Sequence, residues 1–436
     1  MLNKIGVYFC IAVFLMCFSG MAQSETGLPK SPNWLFGTEI PHLDKGRAKH
    51  TVPPRGWNDL TENQEIINSW GYKARPIEEI KDLLPEAFYN MISDPESWGD
   101  FRINETKFIP NRGPYWEAYE EATRKYKGTC RLDEQGWLYD YKAGQPFPDV
   151  DIDKDPQGVD KVMWNFLKRF ANDDRKVPGI TNIRDQAGNI RNLIYDNIRF
   201  NFNGRLELDP KPLYQPNPKQ IDYIYSLPFT EPYAMRGTVP LIQRYAIPRD
   251  FDMWMYLPAM RRVRRMATTQ TQDKLPGGMD VTWDAAEGFM GNVLDFELTY
   301  LGKKELLIPL VASEVPQLDV TGLCGVDQYY QRRDCYIIKA TYKKPITITD
   351  IIVHVDSELY YNCYTVCVDM RGNDWMFQSY FRGRDKDWFQ LQNSMNLIDV
   401  QRHHATRGLL SWYYPNYGYS ASDFTMPQLI KEYSAR

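Results

Sequence analysis

Beyond about residue 189 the sequence settles into short apolar runs with period-two alternation and few helical interruptions. Side chains of a strand alternate between two faces, so this pattern marks half-buried strands. It predicts strands at 190–205, 221–226, 237–245, 251–266 and 294–300. Further strands are expected at 305–308, 335–342, 351–356, 361–370 and 375–381. The last two flank Arg371-Gly372-Asn373-Asp374, residues that favour a tight hairpin turn. With such short links and few helices between, an antiparallel meander is expected rather than a parallel α/β sheet. The 12 Trp, 29 Tyr and 20 Phe, 14% of the chain, point the same way. Aromatics favour strands and also line ligand pockets.

Residues 251–266 (FDMWMYLPAMRRVRRM) stand out among these runs. Phe251, Met253, Met255 and Leu257 fall on one strand face, with Asp252, Trp254 and Tyr256 on the other. A strand continuing past Pro258 would carry the first face on to Arg261, Val263 and Arg265. An apolar track ending in guanidinium groups suits an amphiphile with an anionic head. These six residues, Phe251, Met253, Met255, Leu257, Arg261 and Arg265, are therefore the candidate ligand contacts. An ordinary core strand with solvated arginines, or with arginines paired to Asp280, Asp284 or Glu287, fits the same residues about as well. Pro258 also warns of a bulge, which would flip the later side chains.

The first residues read as an export signal. Lys4 precedes the apolar run 5–18, and Ser19-Gly20-Met21-Ala22 ends it, so cleavage after Ala22 is expected. The leader is too short to span a bilayer well, and nothing in 14–17 suits lipid modification of Cys17. A soluble exported protein, freed of its leader, is the expectation. Without Lys4 the chain holds 51 basic and 56 acidic residues, which gives no support for nucleic-acid binding. Five cysteines follow the leader: Cys130, Cys324, Cys335, Cys363 and Cys367. Cys324 and Cys335 bracket a short loop and are the expected disulfide in an oxidising compartment. Cys363 and Cys367 lie about 13 Å apart on a continuous strand, too far to bridge.

Residues 23–73 read as an extended arm and 74–436 as a single domain, with helical cover elements mainly in 74–172 and the sheet mainly in 189–400. One helix is expected from Pro76, broken or kinked at Pro85, and another from Pro114 to about Lys127. A hairpin is expected across Asp133-Glu134-Gln135-Gly136. A third helix, capped by Asp155, carries Val159, Met163, Phe166, Leu167 and Phe170 as an apolar stripe. Residues 284–292 (DAAEGFMGN) are expected to form one helical turn.

Common catalytic signatures, GxSxG, the P-loop, GxGxxG after a strand and HExxH, are absent from the sequence. His403-His404 makes a poor chelate when extended, and no metal or cofactor is expected. Asp149, Asp151 and Asp153 share a strand face and could bind calcium or serve as an acid–base pair, although a solvated loop is the commoner use of such a run.

Several blocks together resemble a known family: WGYKARPIEEIKDLLPE at 70–86, YKAGQPFP at 141–148, YLPAMRRVRRM at 256–266, DAAEGFMGN at 284–292 and YLGKKELLIP at 300–309. They resemble a domain-of-unknown-function family of Gram-negative periplasmic proteins, number 1329, labelled outer-membrane lipoprotein-sorting-like. The resemblance implies an α+β, β-rich fold similar to LolA and LolB: an unclosed antiparallel β-barrel with helices covering the concave face. It implies a non-enzymatic carrier for a lipid, lipoprotein acyl chain or other hydrophobe. It further implies a place in the Gram-negative periplasm in association with the outer membrane, and an inner-membrane export transporter and an outer-membrane protein as partners. A non-catalytic accessory subunit of an export system and a carboxylate-dependent glycan hydrolase are the alternatives.

Overall fold

The computed structural model describes residues 55–56, 71–107, 116–309, 327–384, 390–410 and 412–434. Its first strands are β1 (Arg55–Gly56), β2 (Tyr72–Arg75), β3 (Arg102–Thr106) and the short hairpin β4 (Arg131–Leu132) and β5 (Leu138–Tyr139). Then come β6 (Asp174–Arg184), β7 (Ile190–Asn201), β8 (Ile221–Ser226), β9 (Phe229–Glu231), β10 (Val239–Tyr245), β11 (Asp252–Leu257) and β12 (Arg262–Arg265). The second half holds β13 (Phe296–Ile308), β14 (Asp327–Tyr342), β15 (Ile348–Asp356), β16 (Asn362–Asp369) and β17 (Asp374–Arg384). The last strands are β18 (Gln390–Asp399), β19 (His404–Leu410) and β20 (Trp412–Pro415).

In space the main sheet runs β12, β11, β10, β8, β7, β6, β19, β18, β17, β16, β15, β14, β13, each strand antiparallel to the next. The parallel pairing of β3 with β14 makes the sheet mixed. Among the described residues no pairing joins β12 to β13, so the sheet curls without closing. Asp284 demonstrates the curl: it accepts from Tyr342 of β14 at 2.9 Å and is also within electrostatic reach of Arg244 on β10, near the other end of the order.

Local sequence accounts for the cover. Pro85 divides the first helical run into a 3-10 segment, Ile77–Leu83, and helix α1 (Glu86–Ile92). Helix α2 (Pro95–Trp98) starts with Asp94 accepting from Ser97 N at 3.2 Å. Helix α3 spans Glu117–Tyr126, α4 Gly158–Leu167 and α5 Met426–Ser434. Helix α4 and the connection 266–295, here called the strap, pack on the inner face of the sheet with Phe229, Met253 and Tyr380. Alternation along β17 explains the division of faces. Met376 and Tyr380 join that inner cluster, whereas Phe377 and Phe381 join Phe88 of α1 and Trp98 of α2 on the outer face. Residues Tyr414, Tyr417 and Tyr419 of the tail, with Leu429 and Tyr433 of α5, form a third cluster against β7, β8 and β10.

The strap is tied down by polar contacts. Asp280, fully buried, receives Lys274 Nζ at 2.9 Å and Thr406 Oγ1 at 2.7 Å, and lies 2.5 Å from His404 Nδ1. Lys274 also reaches Asp399 at 2.9 Å, and Thr271 donates to Asp284 at 2.5 Å.

The cysteines depart from the expected bridge. Cys324 lies outside the described residues, and Cys335 is a buried, unbridged thiol in β14 beside the thiol of Cys363. Cys335 sits in mid-strand against the outer cluster, so strand alternation turns its thiol into the core. Burial pushes the Cys367 thiol up to about 12. Iodoacetamide at pH 8 is therefore expected to spare Cys367 in the native protein and to alkylate it after urea unfolding, as read by peptide mass spectrometry. Rapid native alkylation would contradict this burial.

Candidate functional site

A cavity of about 130 Å³ lies between the inner face of the sheet and the strap. Alternation builds its floor. Arg175 and Val177 project from β6, Tyr195, Asn197 and Arg199 from β7, Tyr380 and Arg382 from β17, and Met395 and Leu397 from β18. Within each strand these residues are spaced by two, which keeps them on one face. The strap supplies Leu275, Met279, Val281 and Glu287, and the chain leaving α4 adds Arg169 and Phe170.

Four arginines thereby line the cavity with one carboxylate, and three of them pair with it. Glu287 Oε2 lies 3.5 Å from Arg169 and 4.0 Å from Arg199, and Oε1 pairs closely with Arg175. Arg382 donates to Asn362 O at 3.2 Å and packs 4.5 Å over the ring of Tyr361. Arg199 packs 3.7 Å over Tyr223. The side chains of Arg169, Arg175 and Arg199 retain 14–16% exposure and Glu287 19%, and all of them line the cavity. Glu287 is held in a short 3-10 turn, Ala286–Gly288, with its own φ at +51°. Its neighbour Gly288 has φ +92°, and a Cβ there would come within 2.6 Å of Asn362 Nδ2, so the turn can approach the sheet only with glycine.

Electrostatics follow from this crowding. Burial raises the Glu287 carboxyl, but Arg175, Arg199 and Arg169 outweigh it and bring it down to about 2. Burial lowers Arg169; Glu287 opposes this, and Arg382 and Arg199 reinforce it, leaving Arg169 at about 10. Burial also lowers Arg382. For Arg175, Glu287 more than reverses the effect of burial. Four cationic side chains less one carboxylate leave a formal surplus of three positive charges lining the cavity. Cations held partly out of bulk water are costly, so an incoming anion is favoured beside them. Burial pushes Tyr361 up to about 12, so it stays a neutral phenol beside them.

The six residues expected as ligand contacts lie elsewhere. Phe251 and Met253 are buried in the inner apolar cluster, Met255 and Leu257 are half-buried, and Arg261 and Arg265 are exposed. None of them lines the cavity. The strand does not continue past Pro258. Pro258–Met260 form a turn, Arg261 adopts φ +48°, and β12 folds back on β11. Leu257 then faces Arg262 and Met255 faces Arg264, so Arg262 and Arg264 share the Met255 face. Arg265 turns to the opposite face and pairs with Asp252. Glu287, considered as a partner for this run, pairs instead with arginines distant in sequence.

Of the carboxylate run, Asp149 pairs with Lys127 at 2.5 Å and Asp151 with Lys154 at 2.7 Å in an exposed loop. Among the described residues no group of three or more His, Cys, Asp or Glu side chains could hold a metal ion.

Comparison with known proteins places the chain in a family. Solved structures similar to it include a DUF1329 family protein from Desulfovibrio piger, 16% identical over 62% of this chain and 96% of that one, with a TM-score of 0.45. A domain described as outer-membrane lipoprotein-sorting from Vibrio parahaemolyticus is 14% identical over 62% and 97%, with a TM-score of 0.46. A LolA superfamily protein from Nitrosomonas europaea is 12% identical over 59% and 93%, with a TM-score of 0.38. No curated protein matches the chain significantly. Residues 73–429 match the family DUF1329, described as a protein of unknown function. Because that match covers most of the sequence, the chain belongs to the DUF1329 family.

Proposed function

We propose that this protein is a periplasmic binding protein for an amphiphile, with the anionic head in the arginine cavity and the apolar chain against the strap. The observation that carries this reading is the set of four arginines facing one carboxylate beside an apolar wall. A phosphate or carboxylate head offers the planar or branched oxygen pattern that guanidinium forks bind best. Leu275, Met279, Val281, Met395 and Leu397 supply the wall. Size limits what enters. An apolar cavity of about 150 Å³ holds one benzene ring. A cavity of about 130 Å³ therefore takes a head group and its first carbons, not a whole lipid. A longer chain requires the strap to lift, and each methylene then buried contributes about 0.8 kcal/mol. Release requires a second state that binds the cargo less well.

Organic extraction of protein prepared from its native envelope without detergent, followed by mass spectrometry, tests the reading. One anionic amphiphile per chain is the expected result, and Arg199→Leu is expected to lower retention at least tenfold in a folded protein. Protein that emerges empty, and takes up no fluorescent fatty acid, would overturn it.

A further inference from the structure

The end of the sheet that carries the β9–β10 turn and the β11–β12 hairpin has side chains with no role in the cavity. Val239 pairs with Tyr256, which sets the two turns next to each other. A Cβ on Gly237 would meet Pro258 Cγ at 3.3 Å, so the turns are in contact. Three large apolar side chains stand in water here: Tyr233 at 86% exposure, Met260 at 54% and Val263 at 45%. Arg236, Arg261, Arg262 and Arg264 lie in the same segments, all exposed. Among the described residues none of these four has a carboxylate within ion-pair distance, whereas the adjacent Arg265 has Asp252. Arg236 packs 5.8 Å over the ring of Tyr233 and donates to Thr230 O at 3.1 Å, which ties the charged and apolar groups into one tip.

We propose that this tip docks the protein on an anionic lipid surface. Tyr233, Met260 and Val263 enter the interface, and the four arginines lie on the phosphates of the head groups. Aromatic and long apolar side chains beside arginine are favoured at that boundary, where one part is dehydrated and the other stays wet. The charge distribution orients the approach. The chain carries a net charge of −4, so a negative membrane repels the molecule as a whole while attracting this end. A second copy presents the same positive tip and is repelled by it. The inference is independent of the arginine cavity, which lies beneath the strap.

Flotation of the full chain with vesicles tests this. Binding to phosphatidylglycerol–phosphatidylethanolamine vesicles, none to pure phosphatidylcholine and release by 0.5 M salt are expected. An arginine near an anionic surface changes partitioning about fivefold. R262E/R264E is therefore expected to lower partitioning by at least about 25-fold, with an unchanged circular dichroism spectrum because both residues are exposed. Y233S/M260S is expected to weaken binding while leaving its salt dependence in place. Equal binding to phosphatidylcholine, no binding to either vesicle, or wild-type binding by R262E/R264E would each overturn the proposal. Failure to float combined with a salt-sensitive complex with an acidic protein would do the same and assign the tip to that partner.

Discussion

Glu287→Gln is expected to destabilise the protein by about 3–5 kcal/mol, because it removes the single carboxylate from among buried arginines. The same side chain gives an independent measure. Its carboxyl is at about 2 in the folded protein against an ordinary 4.5, a difference worth about 3 kcal/mol. A depressed folded value means that this contribution is complete above pH 4.5 and is lost as pH falls toward 2. Urea unfolding of the wild type between pH 7 and pH 3 should therefore lose stability that the glutamine variant does not lose. Because the variant removes the negative charge from beside Arg169, Arg175 and Arg199, added phosphate should raise its melting temperature more than that of the wild type. Equal stability of the two proteins at pH 7 would mean that solvent already screens the arginines.

Phe88→Ala is expected to cost about 3–5 kcal/mol through the cavity it leaves. Phe88 is fully buried on α1, stacked on Phe377 at 5.2 Å, tilted on Tyr364 at 5.4 Å and edge-on to Phe101 at 5.5 Å. The loss falls on the outer face of the sheet, opposite Tyr380 and Arg382. Stability in urea should therefore drop sharply, while ligand affinity at 10 °C stays within about twofold of the wild type. A proportional loss of affinity would show that the two faces of β17 are coupled.

Sequence reasoning reached the parts of this fold that depend on neighbours in the chain. Pro85 ends a helical run because its ring and missing N–H act within one turn. The turn at Arg371-Gly372-Asn373-Asp374 closes the β16–β17 hairpin, with Gly372 at φ +83°. Strand β6 escaped notice because Pro178 and Gly179 interrupt its apolar run. The arginine cavity was hidden for a different reason. Arg175, Arg199 and Arg382 come from three strands and meet only through pairing register, which no local pattern encodes. A trace of it does exist: Tyr195, Asn197 and Arg199 are spaced by two along β7 and alternate with Asp196, Ile198 and Phe200, which puts polar groups on the inner face.

Among the described residues β12 and β13 each pair on one side only, and an unpaired strand edge invites pairing with other chains. Here β12 carries Arg262, Arg264 and Arg265 along one edge. The other edge, β13, carries Lys303, Lys304 and Glu305, and its register shifts between Tyr300 and Gly302. Charge on both edges and a bulge on one make edge-to-edge addition costly. The opening between β12 and β13 is thereby kept from seeding a fibre.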